Sequence, residues 1–305
     1  MAKIAAEVLM ERLADWGVDI IFGLPRDGIN GFMEGLRRNQ ERIRFILVLM
    51  ATAYAKTTGR LGVCLATSGP GAIHLLNGLY DAKLDHVPVL AIAGMQKSQM
   101  LGTGYQQEVS LDRLYMDVAE YNQMIHVPVQ VPTLVDLTVR HALFRRTVAH
   151  LTMPTDVQVA AAGENPYDSP APVVAKPIAA IFIAPPGLPR PADLQSAADV
   201  LNAGSKVVMI VGTGARHARE EVLAVAELLG SPIVKTLSGK AVVPDDHPLT
   251  TGGIGLLGTA PSEEAMESCD TLFMVGTRVP PLFAPLLFAL VGGMGLLASV
   301  LHRER

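Results

Sequence analysis

Cysteine is nearly absent: 305 residues hold two, Cys64 and Cys269, far apart in apolar runs that read as strands. Two such residues build no disulfide framework, and the expectation is reduced, buried thiols in a cytosolic protein. Charge is also scarce, at 18% of residues with a formal net charge of −4, so no broad basic field exists and nucleic acid is disfavoured as a partner. The eight histidines are scattered, none beside another His, Cys or carboxylate at metal-ligand spacing, which disfavours a zinc site. No G-x-S-x-G turn occurs and neither cysteine carries a local catalytic signature, so covalent hydrolase chemistry lacks support. Repeats of solenoid length and low-complexity tracts are missing too.

What is present is apolar bulk. Half of the residues are hydrophobic, which excludes intrinsic disorder and implies buried sheet with helices over it. The length suits two cores and a seam. At the amino terminus, Glu7, Glu11 and Arg12 interrupt what would be the apolar stretch of a signal peptide. Ile4, Val8, Leu9, Leu13 and Trp16 recur at helical spacing there, with Gly17 as the stop, so a helix of the fold is expected instead.

Short apolar runs alternate with helical stretches, as in a parallel sheet with crossover helices. The pattern predicts a strand over Val18–Leu24, a turn at Pro25–Gly28 and a helix over Gly31–Arg38. Strands follow at Arg44–Val48, Gly62–Ala66 and Val87–Ala93, with a helix over Ala72–Lys83 between the last two. A further strand and helix, then Met153–Val159, complete a first domain of residues 1–162. Residues 163–191, rich in proline, read as a linker. Residues 192–279 read as a second domain, with helices at Asp193–Ala203, Ala218–Leu229 and around Pro261–Glu267, and strands at Lys206–Gly212, Pro232–Thr236 and Thr271–Val275. Three strands are fewer than the five or six, roughly, of a complete nucleotide-binding sheet. The expected class is α/β: a parallel-sheet domain followed by a truncated Rossmann-like domain whose unfinished edge invites association.

Two loops are candidate ligand sites. Thr67-Ser68-Gly69-Pro70-Gly71 follows a strand and opens a helix, so its amides and hydroxyls suit an anion or a polar ring, although any tight strand-to-helix turn uses such residues. The same holds for Gly23–Gly28. Val211-Gly212-Thr213-Gly214-Ala215 lies between a strand and a helix as a dinucleotide phosphate loop does, but a lone G-x-G is also an ordinary turn. His74 falls in the first turn of its helix, where a solvated or core-edge histidine is the expectation.

Read together, these segments resemble the thiamine diphosphate enzymes of the pyruvate oxidase and acetolactate synthase group. The likeness is carried by GVDIIFGLPRDGINGFMEGL, AYAKTTGRLGVCLATSGPGAIHLLNGLYDAKLDHVPVLAIAG, LGTGYQQEVSLDRLYMDVAEY and PTDV at Pro154–Val157. HLLNGLYDAKLD and YQQEVSLDRLYMDVA bring it closer to the pyruvate oxidase or pyruvate:quinone oxidoreductase type. It covers about residues 1–160 as the pyrimidine-binding domain. In the second unit, ADLQSAADVLNAGSKVVMIVGTGARHA, TLSGKAVVPDDHP and GGIGLLG match the family's central domain, which holds FAD in several relatives and ADP or nothing in others. The resemblance implies that Pro25, Thr67, Ser68, Gly69, Asn77 and Gln107 face thiamine diphosphate. It implies likewise that Gly212, Gly214, Ala215, Thr236, Lys240 and Gly255 line a dinucleotide site, with an empty spacer domain as the alternative. A 2-oxo acid substrate and an oligomer follow from the same likeness.

Three departures stand against activity. The family's strand ending in R-H-E supplies a glutamate for the proton relay of the aminopyrimidine, a task that needs a carboxylate. Here the text runs Phe45-Ile46-Leu47-Val48-Leu49-Met50 without it. Glu34 and Glu41 precede the strand and belong at or below its amino end, whereas ligands of such sheets sit beyond the carboxyl ends. The shortening also starts the next helix directly from the strand, which predicts strain. Nothing after Gly276 resembles the G-D-G motif that holds Mg²⁺ and the diphosphate, and the tail offers no carboxylates for that hard cation. Arg26 stands where the family has glycine and is expected to obstruct the turn. The implied protein is a shortened relative, inactive alone, with no catalytic residue or metal ligand to assign. A subunit that pairs with a chain carrying the diphosphate domain is the alternative. Leu282–Leu301 runs twenty residues without a charge, long enough to span a bilayer, so membrane contact or a scaffold role is a further alternative to a cytoplasmic protein. Pro285, Gly292, Gly293 and Gly295 make that run a poor helix, and an apolar extension of residues 280–305 with no family counterpart is the preferred reading.

Overall fold

The computed structural model describes residues 2–46, 50–165 and 189–277. The chain divides into two units, the first ending and the second beginning in the stretch between residues 165 and 189.

In the first unit six strands form one parallel sheet. They are β1 (Ile20–Gly23), β2 (Arg44–Ile46), β3 (Gly62–Ala66), β4 (Val89–Met95), β5 (Tyr121–Met124) and β6 (Val148–Pro154), in the order β2-β1-β3-β4-β6-β5. The helices are α1 (Ala5–Asp15), α2 (Asn30–Arg38), α3 (Ala51–Thr58), α4 (Pro70–Leu84), α5 (Leu111–Leu114), α6 (Val131–Arg145) and α7 (Thr155–Val159). Central strands such as β3 and β4 are apolar throughout because both faces are covered. Val63, Leu65, Leu90 and Ile92 point to a core shared with Leu9, Phe32 and Val139 of α1, α2 and α6. Cys64, Ala66, Val89 and Ala91 point to the opposite core with Leu75 and Leu79 of α4. The unit closes on itself where Lys3 O accepts from Ala162 N at 2.7 Å and Ile4 bridges Ala161.

α1 is fixed to α6 by a buried ion pair. Arg12 Nε donates to Asp136 Oδ1 at 2.7 Å, a second guanidinium nitrogen binds Oδ2, and Trp16 Nε1 donates to Oδ1 at 2.8 Å. One carboxylate thus satisfies donors from Arg12 of α1 and from Trp16 just past its end, in the core, where an uncompensated charge would be costly.

The second unit comprises α8 (Pro191–Ala203), β7 (Val207–Val211), α9 (Arg219–Leu229), β8 (Ile233–Lys235), β9 (Thr250–Gly253), α10 (Ala260–Ser268) and β10 (Thr271–Val275). Its parallel sheet runs β10-β7-β8-β9, four strands rather than the three expected. The strand missed is β9, whose sequence TTGG has no apolar run because it lies at the edge, and its register against β8 is irregular at Ile233/Val234. Cys269 is likewise not in a strand but caps α10. Both thiols are free and buried, and burial pushes Cys64 up to about 12.

Among the described residues no helix is long and apolar enough to cross a membrane. The apolar run 282–301 lies outside them, as do most of the expected linker and the junction 47–49 where strain was anticipated.

Candidate functional site

Strand order places the candidate loops. From β1 the chain goes to β2 on one side and then to β3 on the other, so the carboxyl ends of β1 and β3 form a switch point, the place where ligands of open α/β sheets bind in a crevice. The turn carrying Pro25 leaves β1 there, and Thr67-Ser68-Gly69 leaves β3 to open α4.

The two turns are bonded to each other. Gly28 N donates to Thr67 Oγ1 at 3.1 Å, and a Cβ on Gly28 would lie 2.5 Å from that oxygen. From below, β4 supports the turn so closely that a Cβ on Gly94 would meet the Gly28 carbonyl oxygen at 2.0 Å. Gln158 of α7, fully buried, donates from Nε2 to Gly28 O at 3.0 Å and to Met153 O at 2.9 Å. Ser68, also fully buried, accepts from Gln96 Nε2 at 3.2 Å, and the same amide donates to Gln106 O at 2.8 Å. Gln96 therefore ties the segment 102–108 to the β3 turn. Gln107, at φ +63, lies against Gly69, at φ +62. The hydroxyl oxygens of Thr67 and Ser68 each accept one of these bonds.

Of the residues expected at this site, Pro25, Thr67, Ser68, Gly69 and Gln107 are brought together by the two turns and the 102–108 loop. Asn77 is not: it sits two turns along α4, exposed, and no hydrogen bond joins it to either turn among the described residues. His74 is exposed on the same helix. Arg26 has an extended backbone, as any residue tolerates, and an exposed side chain on the β1 turn.

Glu34 lies within α2, where Arg37 Nε at 2.7 Å and Arg38 Nε at 2.7 Å hold it, and these guanidinium bonds bring its carboxyl down to about 2. Glu41 is exposed in the turn before β2. The carboxylates beyond the carboxyl ends are Asp27, exposed in the β1 turn, Asp156, which accepts from Ser98 N at 3.0 Å, and Glu108, whose bonds hold the 102–108 loop.

Next to α4 a polar group is sealed into the sheet. The His150 ring of β6 stacks on Tyr115 with centroids 3.8 Å apart, its Nδ1 lies 2.8 Å from Asn122 Oδ1, and burial pushes its pKa down to about 3. Tyr115 Oη donates to Ala72 O at 2.7 Å in the first turn of α4.

The second sheet has its own reversal at β7, between β8 and β10. Gly212, Gly214 and Ala215 follow β7, Thr236 and Lys240 follow β8, and Gly255 follows β9, so all six lie at the carboxyl ends. Several of their polar groups bond within the chain, however. Gly212 N donates to Val275 O at 2.9 Å, Gly214 N to Gly276 O at 2.9 Å and Ala215 N to Gly212 O at 3.0 Å. Thr236 Oγ1 accepts from Gly239 N at 3.1 Å. Cβ atoms on Gly212 and Gly214 would strike Gly276 and Thr277, within 2.9 Å, so backbone packing already accounts for these glycines. Lys240 keeps an exposed ammonium, 3.2 Å from Asp245. Beside it Lys235 is buried, donating to Val243 O at 3.0 Å and to the Asp245 carboxylate.

Residues 4–116 match the family model described as "Thiamine pyrophosphate enzyme, N-terminal TPP binding domain", and residues 194–285 match "Thiamine pyrophosphate enzyme, central domain". A protein of Pseudomonas amyloderamosa, an uncharacterized 42.6 kDa protein in the isoamylase 3' region, is 35% identical over 90% of this chain and 69% of its own length. The chain belongs to the thiamine pyrophosphate enzyme family. Other relatives are a putative thiamine pyrophosphate-containing protein, YdaP, of Bacillus subtilis, 40% identical over 91% of this chain and 48% of that protein, and a pyruvate oxidase of Lactiplantibacillus plantarum, 32% identical over 91% and 46%. The chain spans about half the length of most curated relatives it matches. Within this family fold, sequence reading missed Gln96, Glu108, Gln158 and Lys235. Gln96 alone had a local signal, a polar residue directly after a long apolar strand, where a parallel sheet presents ligand groups.

Proposed function

We propose that this chain is the pyrimidine-binding and central part of a thiamine diphosphate-dependent enzyme acting on a 2-oxo acid of the pyruvate type. The observation that carries the reading is the crevice at the β1/β3 switch point, where Thr67, Ser68, Gln96 and Gln107 surround two glycine-bearing turns. Those groups, hydroxyls and side-chain amides, suit the edge of a neutral heteroaromatic ring, and among the described residues the exposed carboxylate on these turns is Asp27. Bound thiamine diphosphate would supply carbanion chemistry toward a substrate carbonyl. The chain's part is to seat the ring and exclude water from its inner edge.

Diphosphate and Mg²⁺ are assigned to residues beyond the matched stretches, in a longer chain or a partner chain. Among the described residues no group of three His, Cys, Asp or Glu side chains is placed to hold a metal ion. The reading therefore has the chain by itself bind weakly and turn over no pyruvate. FAD is no part of this proposal, because the amides of Gly212, Gly214 and Ala215 and the Thr236 hydroxyl oxygen already bond within the unit.

Calorimetric titration with thiamine and with thiamine diphosphate plus Mg²⁺ tests the division of labour. The expected result is similar, weak affinity for both, since the ring is the shared part. A large gain from the diphosphate and Mg²⁺ contradicts the division, and binding of neither ligand contradicts the ring site.

A further inference from the structure

The segment 102–108 has no regular secondary structure, yet it is not loosely held. Gly102 and Gly104 take φ of +82 and +71, and between them the chain turns its amides inward. Glu108 fills that concavity. Its carboxylate accepts from Gly102 N at 2.5 Å, from Gly104 N at 2.9 Å and from Tyr105 N at 3.1 Å. A carboxylate that collects several backbone N–H groups is among the stronger neutral-to-charged arrangements, and the same bonds, with Gly102 foremost, hold this carboxyl below its ordinary value.

The next residue back is Gln107, in left-handed conformation at φ +63. Its carbonyl oxygen and Cβ occupy the space over Gly69, where an added Cβ would lie 2.7 and 3.0 Å from them. On the other side Gln96 grips Gln106 O. A β-region Gln107 would leave Gly69, so something must over-determine its backbone.

We infer that Glu108 is a positioning residue for the ligand crevice: its carboxylate folds the 102–108 loop and so sets Gln107 against the Ser68-Gly69 turn. The inference rests on the crevice reading above. Glu108 does not itself touch the ligand; it acts through Gln107, and a role confined to capping its own loop is the rival account.

The test uses the chain with Glu108→Ala, Glu108→Gln, Gln107→Ala and the double variant. Two readouts are taken, hydrogen exchange over residues 101–110 and the affinity for thiamine. Glu108→Ala is expected to speed loop exchange and to weaken thiamine binding, each by about tenfold. Glu108→Gln, which keeps one acceptor oxygen, recovers part of both. In the Gln107→Ala background, Glu108→Ala costs no further affinity, because the residue it acts through is gone. Additive losses overturn the inference, as does an unchanged thiamine affinity in Glu108→Ala when exchange has accelerated. Unchanged exchange overturns it as well. A parent chain that binds no thiamine refutes the crevice reading and, with it, the ligand half of this inference, while the loop half is still decided by exchange.

Discussion

At Gly69 the backbone stands at φ +62 and ψ −120, with the Gln107 carbonyl against the side a Cβ would occupy. Gly69→Ala therefore adds strain and a collision together, and a loss of about 1–3 kcal/mol is expected. Urea unfolding should show a lower midpoint at unchanged slope; an unaltered midpoint would mean that the turn relaxes freely. His150 gives a pH signature. Its native pKa near 3 lies below the unfolded value near 6.5, so the unfolded chain binds the extra proton between them. Its contribution is complete above about pH 6.5 and is lost as pH falls toward 3, at up to about 1.4 kcal/mol per pH unit. Stability against pH should thus be flatter across that window in His150→Gln than in the parent chain, and equal slopes would count against a neutral buried imidazole. Thr67, Ser68 and Gly69 were legible from local pattern because turn chemistry is local, whereas Gln107 entered only through the family resemblance. Gln158, whose partners are Gly28, 130 residues away, and Met153, was not, because nothing in the neighbourhood of residue 158 records a bond that the fold creates.

Among elements, the helix pair α1 and α6 offers the sharpest stability test. Asp136→Ala removes the carboxylate that Arg12 and Trp16 share in the core, and a cost of about 3–5 kcal/mol is expected in equilibrium unfolding. A loss under 1 kcal/mol, roughly the worth of an exposed pair, would show that water reaches the site. Strands with both faces buried were readable as continuous apolar runs, and α1 from its spacing and the glycine that stops it. β9 was not readable: TTGG carries no hydrophobic pattern, and it is a strand only because β8 presents a free edge to it. α10 held where expected, but its last residues pull Cys269 out of the strand in which the apolar run had seemed to place it.

For the whole molecule, topology does what no single motif can. GLPRDG and TSGPG are each ordinary turns, and they become one site because the chain leaves β1 in opposite directions, which brings both to the same crevice. Another cleft lies at the amino end of the same sheet, lined by Trp16, Tyr54, Arg60 and Leu143, with Asp19 accepting from Arg60 at 3.1 Å. The two ends of the sheet make opposite predictions for a ligand. The most direct measurement is a thiamine titration followed by amide chemical shifts. Perturbations gathered on Gly28, Ser68, Gly69, Gln96 and Gln107 are the predicted result; shifts clustered on Trp16, Tyr54, Arg60 and Leu143, with the carboxyl-end turns unmoved, would contradict the assignment of this crevice.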